Sequence, residues 1–119
     1  MSASGSDQFL PLKPATFLVL LVLSQEELHG YGIKKEVALR SERRIDLEPG
    51  TLYRLMARLV DQGLIEETDR RPLPDQDDER RRYYRITELG REVVSREADR
   101  MVQLADSKDV RALIHASGS

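Results

Sequence analysis

The sequence of 119 residues contains no cysteine, no tryptophan, only two histidines and 5% aromatic residues. The absence of cysteine excludes disulfides, thiolate metal sites and cysteine nucleophiles. Two histidines are too few for an ordinary zinc enzyme. We also find no serine–histidine–aspartate set, no distinct pair of carboxylates and no glycine-rich phosphate loop. We therefore expect no cofactor, no metal and no enzymatic activity.

Long hydrophobic runs are also missing. The longest apolar run covers residues 17–23, whereas a transmembrane helix needs about 20 apolar residues. The run lacks the preceding basic stretch and the small-residue cleavage site of a signal peptide. We therefore expect a cytoplasmic protein that does not enter the membrane.

The chain has little excess charge of either sign. Its formal net charge is −2 and its pI is about 5.7. This balance excludes a generally basic nucleic-acid-binding protein but allows a locally basic face. With 39% hydrophobic and 34% charged residues, the composition fits one small domain with a modest core, typical of a helical fold or an oligomer.

Apolar spacing and proline–glycine punctuation predict three helices in the first half. The first, 15–25, follows Pro14 and is apolar on almost every side, which suggests contact with a second subunit. The second covers 31–41. The third covers 51–62 and ends at Gly63; it carries one apolar stripe formed by Leu52, Leu55, Met56, Leu59 and Val60.

Two strands, 64–68 and 82–87, follow the helices and predict a hairpin. In the second strand Tyr84 and Ile86 share one face, and Tyr83 and Arg85 share the other. We expect the polar, acidic tip at 72–79 to be disordered. The segment 44–47 could supply a third strand.

Thr87 is a good N-cap for a last helix over 88–107, with one further turn over 110–114. Within this helix, apolar residues at 4-3-4 spacing form a seam suited to a partner helix. Together with the first helix, the seam predicts a dimer interface formed by Phe17, Leu21, Leu89, Val93, Val94, Ala98, Met101, Leu104 and Ala105.

This element order predicts a mainly α fold with a small β-hairpin (α+β). It is a winged helix-turn-helix with a C-terminal dimerisation helix. The expected boundaries are a disordered tail at 1–11, a DNA-binding domain at 12–87, the dimerisation helix at 88–115 and a second tail at 116–119.

A polar ridge lies opposite the apolar stripe of the third helix. Thr51, Arg54 and Arg58 are spaced by three and four residues, and such a ridge fits the major groove. An ordinary solvated helix face has the same pattern, so the ridge alone does not decide. The arginine cluster at 80–82 could follow a phosphate backbone, or it could be neutralised by the acids of the same loop.

Four stretches, 29–33, 49–53, 59–65 and 83–90, resemble the PadR-like family of winged-helix transcriptional regulators, in the family's order. The resemblance implies a homodimeric repressor, with an effector site for flat aromatic compounds at the dimer interface in some relatives. Glu48 stands where the family commonly has serine. Carried over by position, the contacts to DNA involve Tyr31, Lys34, Lys35, Thr51, Tyr53, Arg54, Arg58, Arg80, Arg81 and Arg82.

The sequence thus predicts a sequence-specific regulator that binds double-stranded DNA, reads a palindromic operator and acts as a homodimeric repressor. The alternative is a winged-helix adaptor that binds protein and never contacts DNA, which the low pI favours. A steep salt dependence of duplex binding would distinguish the first from the second.

Overall fold

The computed structural model describes residues 5–68 and 82–116. Within these residues a short 3-10 helix, five α-helices and three strands form one fold. In chain order they are the 3-10 helix Gly5–Phe9, α1 Pro14–Leu23, β1 Leu28–His29, α2 Gly30–Arg40, α3 Pro49–Asp61, β2 Ile65–Glu67, β3 Tyr83–Ile86, α4 Glu88–Ala105 and α5 Lys108–Ala116.

The predicted fold class is confirmed, and the three predicted helices fall within two residues of their observed bounds. Pro14 and Pro49 occupy the first turns of α1 and α3, where a missing backbone N–H leaves no bond unmade. After α3 the chain turns through Gly63, whose φ of +77° favours glycine. None of the helices in the described residues has the length and apolarity needed to cross a membrane.

One hydrophobic core joins the helices to the sheet. The stripe of α3 faces inward as predicted, with Leu52, Leu55, Met56 and Leu59 buried, while Val60 lies at its edge. The apolar surface of α1 is largely buried within one subunit. Its buried members are Val19, Leu20, Val22 and Leu23, and the others pack partly against the same core.

The third strand of the sheet lies elsewhere than predicted. The strand order is β1–β3–β2, with Leu28 paired to Tyr84 and Ile65 paired to Ile86 in antiparallel register. The segment 44–47 forms no strand, because positive φ angles at Glu42 and Arg43 turn the chain sharply after α2. The predicted alternation in β3 is confirmed, since Tyr84 and Ile86 are buried and Arg85 is exposed.

Residues 5–11, within the tail predicted to be disordered over 1–11, are placed against α4, and the short 3-10 helix Gly5–Phe9 makes the contact. Ser6 is buried and donates a hydrogen bond to Glu92 at 2.9 Å. Asp7 pairs with Arg96 at 2.7 Å. These polar contacts join the N-terminal segment to a helix near the other end of the sequence. The small, polar residues of the segment do not by themselves indicate such contacts.

Glu97 holds the end of this segment in place. Its side chain is 1% exposed, and its Oε2 accepts a hydrogen bond from the Leu12 amide at 2.7 Å. Arg100 donates to both carboxylate oxygens, at 2.6 and 3.1 Å. The hydrogen bond from Arg100 lowers the pKa of Glu97, burial opposes this, and the Leu12 amide lowers the pKa further. The ionised carboxylate is therefore a structural part of the fold.

We predict that Glu97→Gln lowers the free energy of unfolding at neutral pH by about 1–2 kcal/mol, because the three hydrogen bonds to the carboxylate lose its negative charge or are lost. A carboxyl with a lowered folded-state pKa stabilises the fold above its unfolded pKa near 4.5, and the contribution disappears as pH falls through the folded value. Urea unfolding across this range should therefore show a flatter pH dependence for Glu97→Gln than for the wild type. Glu26→Gln, which changes an exposed carboxyl after α1, is the control, and equal flattening by both would contradict the assignment.

The last predicted helix over 88–107 and the further turn over 110–114 correspond to α4 and α5. Thr87 caps α4 as predicted, because its Oγ1 accepts from the Gly90 amide at 3.0 Å. The chain leaves the helix at Asp106, and the Ser107 hydroxyl accepts from the Val110 amide at 3.3 Å to start α5. The segment 88–115, expected to be the dimerisation helix, therefore contains the two helices α4 and α5. Helix α5 also includes Ala116, which was assigned to the second tail.

Candidate nucleic-acid interface

The outer surface of α3 carries the four residues predicted to enter or border the major groove. Thr51, Tyr53, Arg54 and Arg58 are all exposed, and the buried stripe anchors the opposite side of the helix. In a helix-turn-helix, the N-terminal end of this third helix is the part that approaches base edges. The structure therefore brings the predicted side chains to the surface that such a contact requires.

Arg54 extends toward the N-terminal end of α3. Its Nη2 lies 3.4 Å from the Thr51 hydroxyl, and its Nη1 would lie 3.5 Å from a β-carbon placed on Gly50. Within residues 5–68 and 82–116, neither Arg54 nor Arg58 forms an ion pair with a carboxylate. Both guanidinium groups thus keep their charge available for an anion.

Tyr53 lies where α3 approaches the start of α2. A β-carbon at Gly30 would lie 3.2 Å from the Tyr53 hydroxyl oxygen, so only a small residue allows this approach without a shift. Tyr53 nevertheless remains 55% exposed. The ring therefore contributes to the fit between the two helices and still offers its edge to a ligand.

The residues on α2 that were predicted to contact DNA differ in whether another group of the subunit already binds them. Tyr31 is 65% exposed, and Lys35 is exposed as well. Lys34 instead donates to Asp46 at 2.5 Å. The hydrogen bond and charge of Lys34 hold the pKa of that carboxyl below its usual range. Part of the charge of Lys34 is therefore offset within the subunit, which the sequence pattern did not indicate.

The base of the wing is tied to α2 by aromatic contacts. His29 accepts a hydrogen bond from the Gly32 amide through Nδ1 at 3.1 Å and so caps the start of α2. Its ring meets Tyr83 edge-on at a centroid distance of 5.3 Å.

Arg82 pairs with Glu67 at 3.1 Å across the hairpin. Arg80, Arg81 and the predicted mobile tip at 72–79 lie outside the described residues.

Two residues that sequence reasoning missed lie beside α3. Lys13 and Thr16, at the start of α1, share a surface depression of about 300 Å³ with Thr51, Arg54 and Arg58. No local pattern could have marked them, because the depression forms only when α1 packs against the third helix. Its charged lining is entirely cationic, which makes it relevant to nucleic-acid binding.

The residues predicted for the dimer interface divide into two groups. Val93 and Val94 are fully or nearly fully buried within the subunit, where they belong to its hydrophobic core. Helical spacing does not distinguish a partner helix from the subunit's own core. The other members are accessible to differing degrees: Phe17, Leu21, Leu89 and Ala98 are partly buried, and Met101, Leu104 and Ala105 are exposed.

The three-helix core, the wing strands and the outward-facing third helix define a winged helix-turn-helix protein. Residues 19–96 match the model of the transcriptional regulator PadR-like family. This match covers more than half of the chain, and the chain belongs to that family.

Solved structures with the same fold include H. salinarum RosR, with a TM-score of 0.64 and 25% identity over 91% of both chains. A PadR-like transcriptional regulator from Bacillus cereus has a TM-score of 0.68 and 24% identity, covering 83% of this chain and 89% of that one. Both similarities extend over most of the molecule and support the fold assignment.

Two sequence relatives carry no functional description. The chain is 38% identical over 91 residues to an uncharacterized 37.1 kDa protein in transposon TN4556 of Streptomyces fradiae, which covers 76% of this chain and 24% of that protein. It is 30% identical over 79 residues to uncharacterized protein X of Lysinibacillus sphaericus, which covers 66% of this chain and 69% of that protein. The chain therefore spans about a quarter of the Streptomyces relative.

Proposed function

We propose that this chain is a sequence-specific regulator that binds double-stranded DNA and acts as a homodimeric repressor on a palindromic operator. The observation that carries the proposal is the exposed surface of α3, where Arg54 and Arg58 have no carboxylate partner among the described residues. Membership of a family of transcriptional regulators supports it. A protein with this role acts on chromosomal DNA, so we place it in the cytoplasm.

In this proposal the N-terminal half of α3 enters the major groove. Arg54 is long enough to donate two hydrogen bonds to O6 and N7 of a guanine. The Thr51 hydroxyl is suited to a phosphate, and its methyl group to a thymine methyl. Tyr31 and Lys35 on α2 contact the backbone, because the helix before the recognition helix crosses it. Lys34 would contribute less, since Asp46 competes for its charge.

The test of this function is direct binding to DNA at several salt concentrations. Sites selected from genomic fragments should bind the wild type, with an affinity that falls steeply between about 50 and 200 mM salt. Fluorescence anisotropy with a selected duplex and a shuffled duplex of equal length measures both affinity and specificity. An adaptor of the kind that the low pI favours would bind neither duplex at any salt concentration.

The dimer in this proposal uses the exposed apolar side chains near the C-terminal end of α4 and on α5. Met101, Leu104, Leu113 and Ile114 are all more than two-fifths exposed in one subunit. Exposed apolar residues on neighbouring turns mark an interaction surface. Two-fold symmetry would then present two copies of α3 to successive half-sites. The effector site that the family resemblance implies would need the second subunit and stays a prediction.

We predict that Met101→Asp weakens the dimer at least about tenfold while the subunit stays folded, because a charge replaces a side chain that is 42% exposed in the monomer. Light scattering and urea unfolding measure the two properties separately. Gln103→Asp adds the same charge on a different side of α4 and is the control. Val94→Asp should instead unfold the subunit, since Val94 is only 4% exposed. A Met101→Asp dimer as strong as the wild type would remove this surface from the interface.

A further inference from the structure

The depression between the start of α1 and the outer side of α3 has an unusual lining. Lys13, Arg54 and Arg58 all contribute to it, together with the hydroxyl-bearing Thr16 and Thr51, and none of its lining residues is acidic. Elsewhere in the fold, exposed cations such as Arg85 and Arg111 lie within 3 Å of a carboxylate oxygen. Within the described residues the three cations of this depression have no such partner.

Three unpaired cations around one small space repel one another, and water and salt reduce this repulsion only in part. An anion placed between them removes the repulsion and gains hydrogen bonds from ammonium, guanidinium and hydroxyl groups. The volume of about 300 Å³ is ample for one phosphate group. The chemistry of this depression is therefore that of a phosphate site.

Lys13 is held rigidly enough to contribute to such a site. The preceding Leu12 amide donates to the buried Glu97 carboxylate at 2.7 Å. The Lys13 carbonyl accepts a hydrogen bond from the Phe17 amide at 2.9 Å. The next residue, Pro14, begins α1, and its ring restricts the backbone there. The backbone of Lys13 is thus fixed on both sides, so ordering only its side chain on binding limits the entropic cost.

The two arginines of α3 differ in their surroundings. Arg54 reaches toward Gly50 and Thr51 at the end of the helix that approaches base edges. Arg58 lies one turn later and also lines a second depression, formed with Leu12, Lys13 and Gln62. Arg58 therefore belongs to the side of α3 that faces the N-terminal segment, outside the part of the helix that enters the groove.

We propose that Lys13, Arg58 and Thr51 bind one backbone phosphate of the operator, next to the bases that Arg54 reads. The inference rests on the proposed function and gives the residues different roles in it. Arg54 supplies sequence specificity, whereas Arg58 and Lys13 position the protein on the DNA and supply sequence-independent affinity. It also gives the ordered N-terminal segment a purpose, because Glu97 fixes the place from which Lys13 reaches the DNA.

The first test is the salt dependence of duplex binding by the full-length protein. Loss of one phosphate contact in Lys13→Ala should reduce the magnitude of the slope of log K against log salt by about 0.9. The defect relative to wild type should therefore be about threefold larger at about 50 mM than at about 200 mM salt, for the selected and the shuffled duplex alike. Lys13→Arg should keep the wild-type slope.

Lys108→Ala is the matched control, because Lys108 is an exposed lysine on α5, away from this depression. Its slope should equal that of the wild type. If Lys13→Ala keeps the wild-type slope while the wild type binds the operator, the phosphate site is wrong and the proposed function stands. If the wild type binds no duplex, the proposed function fails and this inference fails with it.

A second experiment separates a DNA phosphate from a free anion. Neutral methylphosphonate groups are placed one at a time along the operator backbone. At one position per half-site, the substitution should weaken the wild type but cause no further loss in Lys13→Ala, because both changes remove the same contact. Equal losses for both proteins at every position would overturn the proposal, and competition by inorganic phosphate without such a position would assign the depression to a small anion instead.

Discussion

Replacement of Gly90 by alanine is expected to leave the chain largely unfolded. A β-carbon at Gly90 would lie 2.0 Å from the Leu64 carbonyl oxygen and 2.8 Å from Ile86 Cγ1. The first contact is with backbone, which no side-chain rotation can relieve. The carbonyl is fixed because it also accepts a hydrogen bond from the Thr87 amide at 3.1 Å. The start of α4 would have to move away from the chain that follows α3.

Such a displacement opens the core where helix, strand and hairpin meet. We expect a loss of more than about 4 kcal/mol in the free energy of unfolding, the range reached only by severe overpacking or core disruption. Small domains have about 5–15 kcal/mol in total, so most of the stability would be lost. Circular dichroism and urea unfolding of the purified protein measure the effect.

Gly63→Ala is the matched control for this prediction. A β-carbon there meets nothing within 4 Å, and only the φ of +77° opposes it. The expected loss is about 1 kcal/mol, the strain of placing alanine in the left-handed region. If Gly90→Ala unfolds at the same urea concentration as Gly63→Ala, the close approach to Leu64 does not limit the stability of the fold.

The parts of this fold that sequence predicts well depend on local rules. The stripe of α3 repeats every three to four residues, so its buried side is fixed by helix geometry alone. Thr87 caps α4, and Gly63 forms the turn after α3, because these residue types suit those backbone positions wherever they occur. Such features need no knowledge of the rest of the chain.

The parts that sequence missed depend on contacts between distant segments. Leu28 and His29 form a strand only because β3, more than fifty residues later, offers a free edge. A strand of two residues is too short to show alternation. Glu97 follows the pattern of an exposed helix residue, yet it is buried because the Leu12 amide and Arg100 satisfy its charge. Composition gives no sign of either arrangement.

The candidate interface shows the same division. Thr51, Arg54 and Arg58 share a side of one helix, so their spacing is sufficient to find them. Lys13 joins them only through the packing of α1 on α3. Lys34 was predicted as a backbone contact from its place on α2, but Asp46, beyond a turn with two positive φ angles, pairs with it. Helical spacing therefore finds residues on one helix, and packing decides which of them remain available.

The second large effect is expected at the arginines of α3. Arg54→Ala should weaken operator binding by about 1–3 kcal/mol, roughly 5- to 150-fold, because a bidentate contact to a guanine is lost. Removal of both Arg54 and Arg58 should weaken it by at least about two orders of magnitude. Gel-shift titration at fixed salt measures affinity, and circular dichroism checks that the exposed substitutions leave the fold intact.

Conservative variants separate the roles of the two side chains. Lysine keeps the charge of arginine but cannot form the planar pair of hydrogen bonds that reads a guanine. Arg54→Lys should therefore tolerate other base pairs at one operator position, with an unchanged salt slope, whereas Arg58→Lys should keep both specificity and slope. Unchanged affinity in both alanine variants would show that α3 is not the surface that reads DNA, whatever else the protein binds.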